Sequence, residues 1–185
     1  MLLNVLNAIS DVDPKTLEDT TLPLLFNSLP SYGPSRTAHA ERAKFRNVLA
    51  SLATLCLQPT LFETLVVRLF AKLDLICAPS RQQEPEVDAE CDSAYAYAIL
   101  ITLRDVLQQK VEKMHTDVPK YAESLGAPLL WLFIRGSTAS IHSSPNVKML
   151  STVTSDARVI RAVGNIVSIL SRSLSPESVH SYLSS

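Results

Sequence analysis

The chain has 185 residues, with 17 Lys plus Arg against 18 Asp plus Glu and a formal net charge of -1. That balance lacks the basic footprint of a nucleic-acid-binding domain. The 46% of hydrophobic residues argues against a mostly disordered chain. Only four glycines are present and long apolar segments are common, which favours an all-α protein over a sandwich or barrel. The three cysteines, Cys56, Cys77 and Cys91, are widely spaced and form no Cys-x-x-Cys. They suit neither a disulfide framework nor a zinc knuckle. Cys56 and Cys77 fall on apolar helix faces as small core residues. The N-terminal Met1-Leu2-Leu3-Asn4-Val5-Leu6 carries no basic leader or cleavage site, and no apolar run approaches the roughly 20 residues that span a bilayer. These features predict a protein of a soluble, reducing, intracellular compartment.

In chain order, Leu2, Leu3, Leu6 and Ile9 share one face at three-to-four spacing, so residues 1–10 read as the end of a helix. Asp13-Pro14 opens a second helix, with Asp13 as N-cap and Pro14 at the first helical position. It runs to about Leu29, and Pro23 bends it. Pro30 to Pro34, with Gly33, form a stop and loop. The next helix covers about 39–57, with Phe45, Val48, Leu49, Leu52, Leu55 and Cys56 as its apolar stripe. Thr60 is a suitable cap for a helix from Leu61 to Cys77, whose wide stripe predicts neighbours on more than one side. Residues 78–92 are polar, acidic and proline-containing and read as a flexible loop. The longest helix runs from Ser93 to Met114, with Tyr95, Ile99, Leu103, Val106, Leu107, Val111 and Met114 on the buried face. Thr116-Asp117-Val118-Pro119 resets the chain, and the next helix runs to about Arg135 and contains Pro128. Residues 136–154 read as a second flexible loop. The last full helix covers about 156–174, with Val159, Val163, Ile166, Val167, Leu170 and Leu174 inward, and Ser175-Pro176-Glu177 starts one more.

One pattern recurs. Leu22-Pro23-Leu24-Leu25-Phe26 returns as Ala127-Pro128-Leu129-Leu130-Trp131. A proline inside a helix removes a backbone donor and clashes with the preceding turn, at about 3 kcal/mol. Two such kinks in matching contexts indicate one unit used more than once. The predicted fold is therefore all-α, a HEAT/armadillo-like α-solenoid of antiparallel helix pairs. A single segment over 1–185 would hold about three repeats, with partial helices at both ends. Phe26 and Trp131 should occupy equivalent core positions in two kinked first helices, and the helix over 61–77 should be straighter. Asp156-x-x-x-x-Arg161 loosely matches the acidic-turn-then-arginine signature of such repeats. The abrupt, uncapped ends point to an internal piece of a longer array.

No catalytic constellation is present. His39, His115, His142 and His180 are scattered, and none pairs with another His or a Cys at metal-ligand spacing. There is no Gly-rich phosphate loop, no Gly-x-Ser-x-Gly and no His-Glu-x-x-His. No enzyme activity and no cofactor are expected. The one candidate site is a cationic cluster, Arg36, Arg42, Lys44 and Arg46, at the start of a helix. Positive charge there opposes the helix macrodipole, and such a local conflict can mark a partner-binding surface. The competing reading is a solvated face carrying ordinary ion pairs.

Several words resemble a known family. They are Leu22-Pro23-Leu24-Leu25-Phe26-Asn27-Ser28-Leu29-Pro30, Leu61-Phe62-Glu63-Thr64-Leu65-Val66-Val67-Arg68-Leu69, Leu103-Arg104-Asp105-Val106-Leu107, Asp117-Val118-Pro119-Lys120-Tyr121 and Asp156-Ala157-Arg158-Val159-Ile160. They are similar to the middle region of the MMS/Met nucleotide-excision-repair and transcription-linked HEAT-repeat family. The resemblance implies a long solenoid that targets the cytosolic iron–sulfur protein assembly machinery to apo-proteins of DNA repair, replication and transcription. It implies assembly subunits and iron–sulfur clients as protein partners, no direct nucleic acid, no membrane, and both cytoplasmic and nuclear location. The family docks its partners chiefly through C-terminal repeats, expected to be missing here, so no partner-binding residue carries over. The alternative expectation is a HEAT/armadillo nuclear-transport or other protein-binding adaptor.

Overall fold

The computed structural model describes residues 2–78, 88–139 and 153–174. Every regular element among the described residues is helical. Helix α1 spans Leu2–Val12, two residues beyond its predicted end. It stops because Asp13 caps the next helix: its carboxylate accepts the Thr16 N–H at 3.2 Å and the Thr16 hydroxyl at 2.6 Å. These bonds hold the Asp13 carboxyl below its ordinary value. Helix α2 is composite, with α-helical Pro14–Thr16 and Leu22–Asn27 flanking a π-helical turn at Leu17–Thr21. The wide turn sits directly before Pro23, which has no N–H to return to the carbonyl four residues back. The Leu22 N–H instead reaches five residues back to the Leu17 carbonyl.

Helix α3 (His39–Leu55) ends two residues earlier than predicted, leaving Cys56 and Leu57 in a tight turn. Helix α4 spans Pro59–Ile76 without interruption. Its N-cap is Gln58, not Thr60, because Pro59 takes the first helical position, where a missing donor costs nothing. Helix α5 spans Ala89–Glu112, four residues longer at its start than predicted. The Asp88 carboxylate caps it by accepting the Glu90 N–H at 3.1 Å, and Glu90 and Asp92 lie in its first turn, where the macrodipole favours negative charge. The acidic stretch predicted as loop over 78–92 thus gives its last four residues to a helix. Residues 79–87 of that stretch lie outside the described residues.

Helix α5 also ends earlier than its apolar pattern suggests. Met114 adopts φ 55, the His115 N–H bonds back to the Lys110 carbonyl at 2.9 Å, and the Met114 N–H to the Val111 carbonyl at 3.0 Å. This is a Schellman stop. Met114 leaves the helical phase there and is 83% exposed, and Val111 is 41% exposed, so neither belongs to the buried face. Lys110 is buried in their place.

After a 3-10 turn at Val118–Lys120, helix α6 runs over Tyr121–Ala139, with Pro128 inside it. It passes the predicted end at Arg135, so the second loop begins later than 136. Residues 140–152 of that loop, and the helix predicted from Ser175, lie outside the described residues. A 3-10 turn at Val153–Ser155 leads into helix α7, Ala157–Ser173. Its N-cap Asp156 accepts the Arg158 N–H at 2.8 Å. The arginine that answers Asp156 is Arg158, at 2.6 Å, while Arg161 is exposed, so the predicted Asp156–Arg161 signature is not a contact.

The helices stack in two layers. One holds α1, α3, α5 and α7, in contact in that order. The other holds α2, α4 and α6, linked by Thr64 to Glu18 and by the edge-to-face pair Phe62–Tyr121 with centroids 4.7 Å apart. Within a layer the helices run parallel: Arg36 before α3 meets Asp88 before α5, and Glu90 of α5 meets Arg158 of α7. Between layers α4 and α5 run antiparallel, since Lys110 near the end of α5 reaches the Leu57 carbonyl before α4. This all-helical stack is consistent with an α-solenoid. Leu61, Phe62, Leu65, Leu69, Leu73 and Ile76 of α4 are almost completely buried, as the wide stripe predicts. All three cysteines are buried thiols outside any disulfide, and burial pushes the Cys56 thiol up to about 12.

The two proline words are not equivalent in space. In α2 the residue before the proline (Leu22) and the third one after it (Phe26) are buried, and the next one after it (Leu24) is 72% exposed. In α6 the residue after the proline (Leu129) is fully buried and the third one after it (Trp131) is 66% exposed. Trp131 is therefore not the core counterpart of Phe26. A helix turns about 100° per residue, so an inward face displaced by two positions is a rotation of roughly 200° between the copies. The π turn adds backbone before Pro23 only, which changes the phase of α2 relative to α6.

Helix α7 contains Gly164 at mid-length with negative φ, and a Cβ added there would meet no atom within 4 Å. Gly164→Ala is expected to raise the unfolding free energy by about 0.5–1 kcal/mol, because alanine gives up less chain entropy in a helix. Urea denaturation should show a higher midpoint with an unchanged slope.

Candidate partner-binding groove

The parallel run of α3, α5 and α7 brings three helix N-termini to one edge of their layer. Between α3 and α5 a cleft of about 660 Å³ opens from this edge. Its volume falls within the roughly 300–1,000 Å³ typical of ligand clefts. Arg36, Arg42 and Arg46 line it from the α3 side, and Arg158 from the start of α7. The structure thus gathers three of the four predicted cationic residues. Lys44 is exposed but does not line the cleft. The floor is small and apolar, with Ala50 and Ala53 from α3 and Ala94 and Ala98 from α5. Tyr97 and Ile101 stand above it.

Local rules explain the placement. Arg42 and Arg46 are four residues apart and so share a face one turn apart. Phe45 lies on the adjacent, buried flank of α3 and packs edge-to-face on Tyr95, with centroids 4.9 Å apart. That pair anchors α3 to α5, while the alanines above it leave space that larger side chains would fill.

The connection before α3 is also fixed to α5. The Gly33 N–H donates to Asp92 Oδ1 at 2.8 Å and the Tyr95 hydroxyl to the Pro30 carbonyl at 2.9 Å, while Lys72 Nζ of α4 donates to the same carbonyl at 2.9 Å.

The charges of the cleft divide into two sets. Arg36 Nε bonds Asp88 Oδ2 at 2.9 Å, and this hydrogen bond holds the Asp88 carboxyl below its ordinary value. Arg158 bridges Asp156 at 2.6 Å and Glu90 at 2.8 Å. The Arg158 bond likewise depresses the Asp156 carboxyl, and Asp156 raises Arg158 in return. The one other acid lining the cleft, Asp105, bonds Arg104 at 2.6 Å. Arg36 is thus ion-paired to Asp88, whereas Arg42 and Arg46 have no acidic partner among the described residues. Sequence reasoning did not include Arg158 or the floor. The alanines at three-to-four spacing on both helices, Ala50/Ala53 and Ala94/Ala98, were the available signal, because small residues repeated on one face mark a depression.

Among the described residues no group of three or more His, Cys, Asp or Glu side chains could hold a metal ion, and no helix is long and apolar enough to cross a membrane. What the cleft offers is a cationic rim above an apolar floor, and its nature is set by the helical stack that forms it.

A family model described as the RNAPII transcription regulator C-terminal region, that of MMS19, matches residues 48–185. The chain belongs to this family. The match covers α4 to α7 entirely and about the last half of α3, and its description ties the MMS19 family to transcription by RNA polymerase II. It also corrects the predicted position within the family: the resemblance is to the C-terminal region, not to the middle. Leucine-rich helical words recur along such arrays, so they reveal the family more readily than the place within it. Comparison with curated proteins and with solved structures gives no match. Arg36, Arg42, Lys44 and Arg46 precede the matched MMS19 residues, whereas Arg158 and the α5 side of the cleft lie within them.

Proposed function

We propose that this chain is an adaptor segment that helps bring the cytosolic iron–sulfur cluster assembly machinery to apo-proteins of DNA repair, replication and transcription. Its layered helices are read as HEAT-type repeats that bind proteins and catalyse nothing. They act in both cytosol and nucleus, contact assembly subunits and iron–sulfur clients, and bind no nucleic acid or membrane directly. The observation that carries this reading is the family match over residues 48–185 on an all-helical, two-layered chain. The corrected position strengthens it, because the family resemblance assigns partner docking to the C-terminal repeats.

Affinity purification of the tagged chain from cells should recover iron–sulfur assembly subunits together with client enzymes that carry the cluster. Radiolabelled iron in those clients should fall when the chain is depleted. Recovery of nuclear-transport factors in place of assembly subunits would favour the transport-adaptor alternative.

A further inference from the structure

We infer that the α3–α5 cleft is a docking groove for a linear acidic peptide segment that carries one or two large apolar side chains. The inference rests on the adaptor reading for its biological meaning, while the recognition chemistry comes from the cleft alone. Arg42 and Arg46 stand one turn apart on its rim with no ion pair among the described residues, although each acidic side chain lining the cleft already has an arginine partner. The N-terminal ends of α3 and α5 add positive dipole ends at the same edge. A carboxylate entering there gains charge-assisted bonds from guanidinium groups without displacing an existing pair.

The floor supplies the second half of the recognition. Ala50 and Ala98 leave the cleft shallow enough in side-chain mass for a partner's side chain to descend between the helices. Tyr97, 36% exposed, and the half-buried Ile101 give that side chain an apolar wall. Arginine clusters that read acidic motifs, and apolar grooves that seat one side of a peptide, are established recognition modes. At 660 Å³ the space suits a short segment and not a folded domain. A nucleic acid backbone fits less well, because its evenly spaced phosphates need a continuous cationic track and Glu90 and Asp105 interrupt this one, whereas a peptide can place a carboxylate at Arg42 and Arg46 alone.

The test is selection from a random linear-peptide display library on the purified chain, followed by affinity measurement with labelled hits. The expected result is enrichment of acidic sequences bearing an aromatic or aliphatic residue. Binding should weaken with salt and fall by about tenfold or more in Arg42→Glu/Arg46→Glu. Ala98→Trp, which fills the floor, should weaken the same peptides while Lys44→Glu, outside the cleft, leaves them unchanged. Circular dichroism of each variant checks that the helices are retained. Enrichment of neutral or basic peptides, or no enrichment, would overturn the inference. So would tighter binding of a labelled single-stranded oligonucleotide, or a concentration-dependent dimer that Arg42→Glu/Arg46→Glu dissolves. The adaptor reading is judged separately: if the wild-type chain recovers the assembly subunits from cells but selects no acidic peptide, the groove inference fails and the adaptor stands. If the wild-type chain selects acidic peptides but recovers no assembly subunit, the adaptor reading fails and the groove stands.

Discussion

Lys110→Ala is expected to lower the unfolding free energy by about 3–5 kcal/mol, the cost of leaving one partner of a buried ion pair without the other. The Lys110 side chain is fully buried near the end of α5. Its ammonium donates to the Leu57 carbonyl at 2.7 Å and meets Asp117 at 2.8 Å, and it lies over the Phe62 ring at 5.3 Å from the centroid. Two connections and one helix meet at this atom: the α3–α4 turn, the α5–α6 connection and the first turn of α4. Removal of the cation leaves the Leu57 carbonyl without that donor and Asp117 charged in a nearly closed site, 12% exposed. Lys110→Met combined with Asp117→Leu should recover part of the loss, because it removes the unpaired Asp117 charge and fills the space, while the Leu57 carbonyl still lacks the Lys110 donor. Urea denaturation of the three proteins measures this; equal stability of Lys110→Ala and wild type would show that the buried contact contributes nothing.

The same pair has a pH signature. Burial pushes the Asp117 carboxyl upward, but the Lys110 hydrogen bond and charge outweigh it, and the net direction is below the ordinary value of 3.8. A carboxyl with a folded value below its unfolded value contributes stability that is fully present above the unfolded value. That contribution is lost as pH falls through the folded value. Wild-type stability should therefore decline below about pH 4, and the Lys110→Met/Asp117→Leu variant should decline less over that range.

Gly33→Ala should cost about 1–3 kcal/mol or more, from overpacking that no side-chain rotation can relieve. Gly33 has negative φ, so the constraint is space and not backbone conformation. A Cβ there would overlap the carbonyl of Cys91 and come within 2.7 Å of the Asp92 nitrogen, both backbone groups of the first turn of α5. Relief requires the loop to move away from α5, which breaks the Gly33 N–H bond to the buried Asp92. Arg36 is carried on the same loop, so its contact with Asp88 should loosen as well. A urea midpoint well below wild type, set beside the raised midpoint of Gly164→Ala, would show that backbone approach decides the outcome at Gly33. An unchanged midpoint would refute the close contact.

Much of the fold was legible because it depends on interactions within one or two helical turns. The apolar stripes of α4 and α7, the cap at Asp13 and a helix irregularity at Pro23 all follow from spacing and side-chain type along the chain. The start of α5 was less legible, because an acidic, proline-containing stretch reads as loop until Asp88 is recognised as a cap. Lys110 was missed because a lysine beside apolar residues reads as surface, and its partners at Leu57 and Asp117 belong to two different connections. Of the groove, the cationic cluster was visible and Arg158 was not, since more than a hundred residues separate it from Arg42.

The sequence by itself determined that this chain is helical, where most helices lie, which stripes face inward, and which family it resembles. The tertiary structure alone decided how each helix is rotated about its axis. Leu22-Pro23 and Ala127-Pro128 open near-identical words, yet Phe26 is buried and Trp131 is exposed. The period of a helix sets which residues share a face, but the direction of that face depends on neighbours distant in the chain and on a single π turn. Stacking of α3 and α5 in parallel likewise turned a run of basic residues and two pairs of alanines into one cleft.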